Sequence, residues 1–278
     1  MQPNNLHTKT VRGFGEEWKT FDQTELKGTE LQIMFDRYFH LFPWNRWSTH
    51  AHGFDLGVGS GRWAALVAPH VGTLHCIDAS GEALHVARKN LQKFPQCIFH
   101  EASVDQIPLE NGSMDFGYSL GVLHHIPDTQ AGIQSCTQKL KPGAPFLLYL
   151  YYAFDTRSWA FRALWRVSDV LRQVISHSPS KIKYVASQLI ALFVYWPFAR
   201  FAKLVDSLGM HADPIPLSAY RDLSFYTMRT DAYDRFCTRL EQRFTRVQMK
   251  HMMENAGLED IVFSENPPLW TAVGYKKR

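Results

Sequence analysis

The chain has 278 residues, room for one elaborated domain or a domain with a sizeable insertion, and its 45% hydrophobic and 20% charged composition excludes wholesale disorder, collagen-like repetition and a multi-span membrane protein. The net charge of +4 is uneven: residues 153–245 hold 13 Lys and Arg against 8 Asp and Glu, so an anionic partner is drawn to that stretch. Cys76, Cys97, Cys136 and Cys237 lack C-x2-C metal spacing and are too few for a disulfide framework, and the N-terminus has no apolar h-region, so no metal, reduced thiols and a cytoplasmic location are expected.

The first 50 residues are rich in aromatics, among them Phe14, Trp18, Phe35, Tyr38, Phe42, Trp44 and Trp47, with one expected helix near 25–41. From 51 to 152, short apolar runs alternate with helical stretches. They predict strands near 52–56, 73–78, 97–101, 114–120 and 145–152, and helices near 61–69, 81–93 and 129–140. Such alternation builds βαβ units and a parallel sheet with helices on both faces. Residues 153–245 break the rhythm with two long helical patterns, 157–176 and 181–208, and then an irregular segment of Tyr, Arg and Asp. Thr245 and Gln248 have capping-box spacing, a helix follows to Asn255, and Gly257 stops it. Two last strands, near 259–264 and 269–275, flank Asn266-Pro267-Pro268. The pattern predicts an α/β fold: a Rossmann-like, doubly wound, mostly parallel seven-stranded sheet with a mainly helical cap inserted after strand five. The expected divisions are an N-terminal helical lid over 1–50, a core over 51–152 and 246–278, and the cap over 153–245.

Within the cap, Leu189–Ala199 is a run of 11 apolar residues inside an uncharged stretch of 16. Both are shorter than the roughly 20 residues needed to span a bilayer, and Pro197 is expected to interrupt the helix. A buried cap helix is the first expectation. The second is a membrane-resting face over 184–199, flanked by Lys181, Lys183, Arg200 and Lys203.

Asp55-Leu-Gly57-Val-Gly59-Ser-Gly61 follows a predicted strand and opens a helix. Glycines there permit a tight turn and let a ligand approach the backbone at a helix start. The nicotinamide spacing G-x-G-x-x-G/A wants a small residue at 62, where the chain has Arg62. The second strand ends on Asp78, 17 residues beyond Gly61, where a carboxylate can accept both ribose hydroxyls of an adenosine-containing ligand.

The runs GFDLGVGSGRWA, HCIDAS, EASVDQIPLENGSMDFGYSLGVLHHI and LKPGAPFLLYLYY resemble the class I S-adenosylmethionine-dependent methyltransferases, within them the type-11 group that includes ubiquinone-biosynthesis-like enzymes. The likeness covers about 51–152 and 245–278. It implies S-adenosylmethionine as cofactor, its methionine part held by Gly57, Gly59 and Gly61 with Asp55 before them. Asp78 and Ala79 would hold the ribose, Ser103 and Val104 would frame the adenine, and Leu120 and Gly121 would line the methionine side. Ser103 stands where an aspartate is frequent, so a hydroxyl or backbone contact must serve the adenine amino group. Val58 replaces a frequent cysteine or glycine where the backbone does the work. The segment from Phe14 to Trp18 resembles an N-terminal element that folds over the cofactor cleft in some relatives; the alternative is a plain hydrophobic staple.

Methyl transfer from a sulfonium is an in-line displacement, so positioning supplies much of the catalysis, and a base is needed only for a protonated nucleophile. His124 and His125 follow strand four at the carboxyl edge of the sheet, where one of them can deprotonate an acceptor hydroxyl; the alternative is a pair that packs and caps the loop. Tyr151 and Tyr152 alternate to opposite faces. One belongs to the core, and the expectation assigns Tyr152 to chemistry and Tyr151 to the acceptor. Tyr226, Arg229, Arg235 and Arg239 lie where guanidinium forks suit an anionic small-molecule acceptor, with internal Arg–Asp pairing as the alternative. The expected activity is methyl transfer to a small molecule, oxygen ahead of nitrogen, sulfur or carbon. Its rivals are a lipid-linked acceptor at a membrane surface and a non-catalytic cofactor-binding scaffold. The charge is too mild to expect a nucleic-acid partner.

Overall fold

A computed structural model of the chain describes residues 5–278 except Lys27 and Trp47, the second of which is one of the aromatics named above. Its strands are β1 (His52–Leu56), β2 (Thr73–Asp78), β3 (Cys97–Glu101), β4 (Phe116–Leu120), β5 (Pro145–Tyr149), β6 (Leu258–Phe263) and β7 (Thr271–Lys276). They form one sheet in the order β3-β2-β1-β4-β5-β7-β6, with β7 antiparallel to both neighbours and the other pairings parallel. The helices of this part are α1 (Thr8–Thr20), α2 (Gly28–Phe39), α3 (Ala64–Val67), α4 (Gly81–Asn90) and α5 (Thr129–Lys139), with α10 (Arg246–Asn255) before β6. Helix α10 carries the expected capping box: Thr245 accepts from the Gln248 amide, and Gln248 reaches back to the Thr245 amide.

Strands β1 and β4 are locked by a reciprocal exchange of large for small. Gly53 is in register with Phe116 and Phe54 with Gly117. A Cβ on Gly53 would lie 2.1 Å from the Phe116 ring, and one on Gly117 would lie 2.3 Å from the Phe54 ring. Each ring therefore lies across the partner strand's glycine. On one face Phe54 and Leu56 join Leu123, Ile133, Leu148 and Met253 in the core. On the other, Phe116 and Tyr118 meet Phe42 and Phe39 edge-on at 5.7 and 5.3 Å, which is where the aromatic N-terminal segment goes.

The chain divides into two compact units. The first runs through Gln23, then Gln32–Asp155 and Leu240–Arg278, and holds the sheet. The second comprises Thr24–Leu31 and Thr156–Arg239. The first 50 residues thus do not form one lid segment. Glu30 accepts hydrogen bonds from the Ser224 amide (2.8 Å) and the Thr227 hydroxyl (2.7 Å), which attaches Thr24–Leu31 to the second unit. Residues 240–244 belong with the sheet, because the Phe244 amide donates to the Tyr151 carbonyl and the Ala153 amide to the Phe244 carbonyl.

The second unit contains α6 (Trp159–Ser176), α7 (Ser180–Ile190), α8 (Trp196–Ser207) and α9 (Phe225–Cys237). Helix α9 lies in the stretch expected to be irregular. Its buried face includes Thr227 and Thr230, whose hydroxyls donate to Glu30 and to the Tyr226 carbonyl, so no apolar periodicity advertises it. Helices α7 and α8 are joined through a π turn, Ala191–Tyr195, into one rod over Ser180–Ser207. Contrary to expectation, Pro197 does not interrupt it: it sits in the first turn of α8, just after the wider π winding, where a missing amide proton is tolerated. Nor is the apolar run buried. Lys183, Ser187, Ala191, Tyr195, Ala199 and Ala202 form the covered stripe, and only 28% of the most apolar window is buried. By length and composition the rod is sufficient to cross a bilayer.

Candidate active site

The glycine loop leaves β1 with Gly57, Gly59 and Gly61 at φ of +81°, +54° and +81°, a region that side-chain-bearing residues rarely adopt. Its tip is tied to the end of β2: the Gly59 amide donates to Asp78 Oδ2 (3.0 Å) and the Ser80 amide to Asp78 Oδ1 (2.9 Å). Burial raises the Asp78 pKa, and the amides of Ser80, Gly59 and Ala79 oppose that shift. A carboxylate oxygen has two lone pairs, so each retains an acceptor position for a ribose hydroxyl.

Asp55 is in register with Tyr118, is 2% exposed, and leaves Oδ2 without a hydrogen-bond partner. Burial pushes its pKa up to about 8; the Tyr118 hydroxyl beside it pulls the other way and Asp78 adds to the rise. An orphaned buried acid behind a glycine cradle fits a ligand that brings a cation, such as the ammonium of the methionine part of S-adenosylmethionine.

Helix α1 lies across the loop. A Cβ on Gly15 would be 2.7 Å from Ser80 Oγ, and the Trp18 indole sits where a Cβ on Gly59 would be, 2.9 Å away. Phe14 reaches His125 with ring centroids 5.0 Å apart. Arg62 stacks over Trp63 (4.6 Å) and Trp18 (5.6 Å). Between α1 and the start of α4 a cleft of about 490 Å³ is lined by Arg12, Ala79, Ser80 and His85. After β3, the Ser103 hydroxyl donates to Asp105 (2.5 Å), so its oxygen is left with acceptor capacity, the polarity that an adenine amino group needs; Val104 is buried beside it.

In the turn after β4, next to Leu120 and Gly121, Val122 meets the glycine loop: a Cβ on Gly57 would stand 2.2 Å from the Val122 side chain. The short 3-10 turn Leu123–His125 follows. His124 is fully buried, stacked on Tyr151 (3.8 Å) and beside His125 (4.0 Å), and neither of its ring nitrogens has a hydrogen-bond partner. Burial first, then the nearby His125 and Arg243, hold its pKa well below that of free imidazole. His125 Nδ1 lies 2.6 Å from the Leu240 carbonyl, so the proton is on Nδ1 and Nε2 carries the lone pair.

Strand alternation sorts the tyrosines as a pleat requires. Tyr149 and Tyr151 share the face of the His pair (centroids 5.9 Å apart), and Tyr38 meets Tyr149 edge-on at 5.1 Å. Tyr152 points into the core against Trp270 (5.2 Å), away from His124, so the geometry replaces its assignment to chemistry with a packing role. The residues expected to clamp an anion are bonded within the second unit. Arg229 donates to Gln188 and to the Tyr184 hydroxyl, Arg235 donates to Ser168 and stacks over Trp165, and Tyr226 is buried. Arg239 is the last residue of the same unit. Arg243, at the end of the same segment of arginines and aromatics that continues through Arg239 and Glu241, is the arginine that lies beside the His pair: it pairs with Glu241 (2.8 Å), donates to the Tyr152 carbonyl (3.1 Å) and covers the Tyr151 ring at 4.9 Å. Tyr149 is the residue that sequence reading missed, and the period-2 alternation back from Tyr151 is the signal that could have found it.

Residues 54–148 match the family described as Methyltransferase domain. Among curated relatives, the ubiquinone biosynthesis O-methyltransferase of Colwellia psychrerythraea is 26% identical over 164 residues, 58% of this chain and 64% of that protein. An O-methyltransferase of Pyrenophora dematioidea is 31% identical over 34% of this chain and 36% of its own length. The chain thus spans under two thirds of these relatives. The SAM-dependent methyltransferase of Thermotoga maritima shares the fold at 12% identity and a TM-score of 0.51, covering 97% of this chain and all of its own. With the glycine loop, the Asp78 tie and the strand order already in place, these matches support a class I S-adenosylmethionine-dependent methyltransferase of the type-11 group, the family match itself covering residues 54–148.

Proposed function

We propose that the chain transfers a methyl group from S-adenosylmethionine to an acceptor hydroxyl, with His124 as the proton acceptor. The observation that carries the reading is His124 itself: a neutral imidazole, fully buried at the carboxyl end of β4, with both ring nitrogens lacking partners. A buried polar group without a partner is costly, and a site that expects a hydroxyl removes that cost when it binds. When bound, S-adenosylmethionine supplies an electrophilic methyl on a sulfonium. The chain's own residues do the rest. Asp78 and the glycine loop bind and orient, and Trp18 and Phe14 exclude water. His125, its tautomer fixed by Leu240, buttresses the His124 ring, and His124 takes the proton of the acceptor hydroxyl; the cofactor would give up its methyl by breaking the carbon–sulfur bond and would leave as the neutral thioether S-adenosylhomocysteine. The O-methyltransferase names of two relatives support oxygen as the acceptor atom. An anionic clamp forms no part of the reading, since Arg229 and Arg235 are engaged elsewhere. The test is incubation of the full chain with methyl-labelled cofactor and cell extract, followed by mass analysis of the labelled product. A methyl ether is the expected product, and a methylated amine or thiol would overturn the choice of oxygen.

A further inference from the structure

Helix α6 has a buried face and an apolar exposed face. Arg172, Ile175 and Ser176 are buried, with Arg172 paired to Asp169 at 2.6 Å and donating to the Thr238 carbonyl. On the other side Trp159, Leu164, Val167, Val170, Leu171 and Val174 are 48–78% exposed, at spacings that place them in one broad stripe. Arg162 and Arg166, exposed and one helical turn apart, edge that stripe. The Ser180–Ser207 rod repeats the arrangement, with Leu189, Leu192, Phe193, Trp196, Phe198 and Phe201 44–69% exposed. Soluble surfaces scatter such side chains singly; this many together mark an interaction surface.

The charge pattern says what covers it. Between Asp169 and Asp206 the chain has five basic residues and no acidic one. Lys183 is buried, Arg200 donates to the carbonyls of Arg221 and Leu223, and Lys203 pairs with Asp222. The exposed positive charge beside the apolar faces is therefore that of Lys181, Arg162 and Arg166. An apolar face edged by cations, with exposed indoles at Trp159 and Trp196, complements hydrocarbon beneath an anionic headgroup layer. A second copy of the chain would present the same cations and no acid to meet them. The rod's inner side is joined to polar groups, for Gln188 accepts from Arg229 and the Lys183 carbonyl accepts from Cys237. Crossing the bilayer would carry that guanidinium into hydrocarbon, whereas lying along the surface does not.

We propose that the second unit docks on an anionic lipid bilayer through the exposed faces of α6 and of the Ser180–Ser207 rod, which lies in the interfacial plane. The proposal does not rest on the methyl-transfer reading. The full chain is floated in a density gradient with phosphatidylcholine vesicles, with and without about 30 mol% phosphatidylglycerol, a typical anionic surface. The expected result is flotation with the anionic vesicles, weakened by salt as the Debye length shortens. Leu189→Glu with Phe193→Glu, and separately Val167→Glu with Leu171→Glu, should each lower the floated fraction at least about tenfold. Arg162→Gln with Arg166→Gln should lower the preference for anionic vesicles by roughly tenfold. All these positions are exposed, so melting temperature and cofactor affinity should stay at wild-type values, which separates lost docking from lost folding. The proposal is overturned if wild type stays at the bottom of both gradients, if the glutamate variants float like wild type, or if wild type forms a discrete dimer that vesicles do not dissociate.

Discussion

His125 Nδ1 donates to the Leu240 carbonyl across 2.6 Å, tying the turn after β4 to a segment 115 residues further along the chain. The Gln242 amide donates to the His124 carbonyl in the same place, so residues 240–244 form one wall of the candidate site. That wall carries the Arg243–Glu241 pair, whose side chains are 14% and 2% exposed. Removing one partner leaves the other short of its opposite charge, at a cost of up to about 3–5 kcal/mol, while replacing both by groups of similar size is far milder. Arg243→Met should therefore unfold at markedly lower denaturant than the double variant Arg243→Met with Glu241→Gln. Equal midpoints for the two would mean that the pair is not coupled.

Asp78 holds the Gly59 and Ser80 amides with both its oxygens. Asp78→Asn keeps one acceptor oxygen and loses the charge, so affinity for S-adenosylmethionine should fall by at least tenfold, charge-assisted bonds being worth about 1.5–3 kcal/mol. Asp78→Ala should lose binding and melting temperature together, because the loop tip is then untied. Titration calorimetry beside thermal unfolding separates the two effects, and equal affinities for wild type and Asp78→Asn would remove the carboxylate from the site.

The raised pKa of Asp55, about 8, has a sign that two experiments can read. The folded value lies above the unfolded one, so the group's contribution to the stability of the unliganded chain is fully present below the ordinary carboxylate pKa and is lost as pH rises through about 8. Asp55→Asn should flatten that dependence in thermal unfolding. A cationic cofactor group beside Asp55 would favour its ionised form. Binding at pH 7 should then release up to about one proton in wild type, seen by calorimetry in buffers of different ionisation enthalpy, and none in Asp55→Asn. Equal proton release in both would place the cation elsewhere.

How far the sequence could be read depended on whether a signal was local. The strands, the glycine loop and Asp78 are legible because period-2 apolar runs and positive-φ glycines leave their mark within a few residues. Helix α9 was hidden because its buried face carries threonines: Thr227 is satisfied by Glu30, nearly two hundred residues away in the chain, and Thr230 by the Tyr226 carbonyl. The Ser180–Ser207 rod was misjudged for another reason: a run of apolar letters reports hydropathy but not which neighbour covers it, and a π turn that accommodates Pro197 has no simple pattern. Tyr152 and Tyr151 could be told to face opposite ways, yet which one faced the core depended on Trp270, a tertiary partner.

The pH profile should report the burial of His124. If His124 takes the acceptor's proton, His124→Gln should cut turnover by about 10²–10⁴-fold with cofactor affinity little changed. His125→Gln should cost less, since that ring positions its neighbour and Gln can still donate to the Leu240 carbonyl. A base works only when unprotonated, and burial with Arg243 nearby lowers the His124 pKa, so the acid limb of the wild-type rate should fall below the ~6.5 of free imidazole. Activity should accordingly stay level from neutral pH down past that value before it drops. A limb at or above 6.5, or near-normal turnover in His124→Gln, would leave the reaction to positioning alone, as for a nucleophile that is already deprotonated in solution.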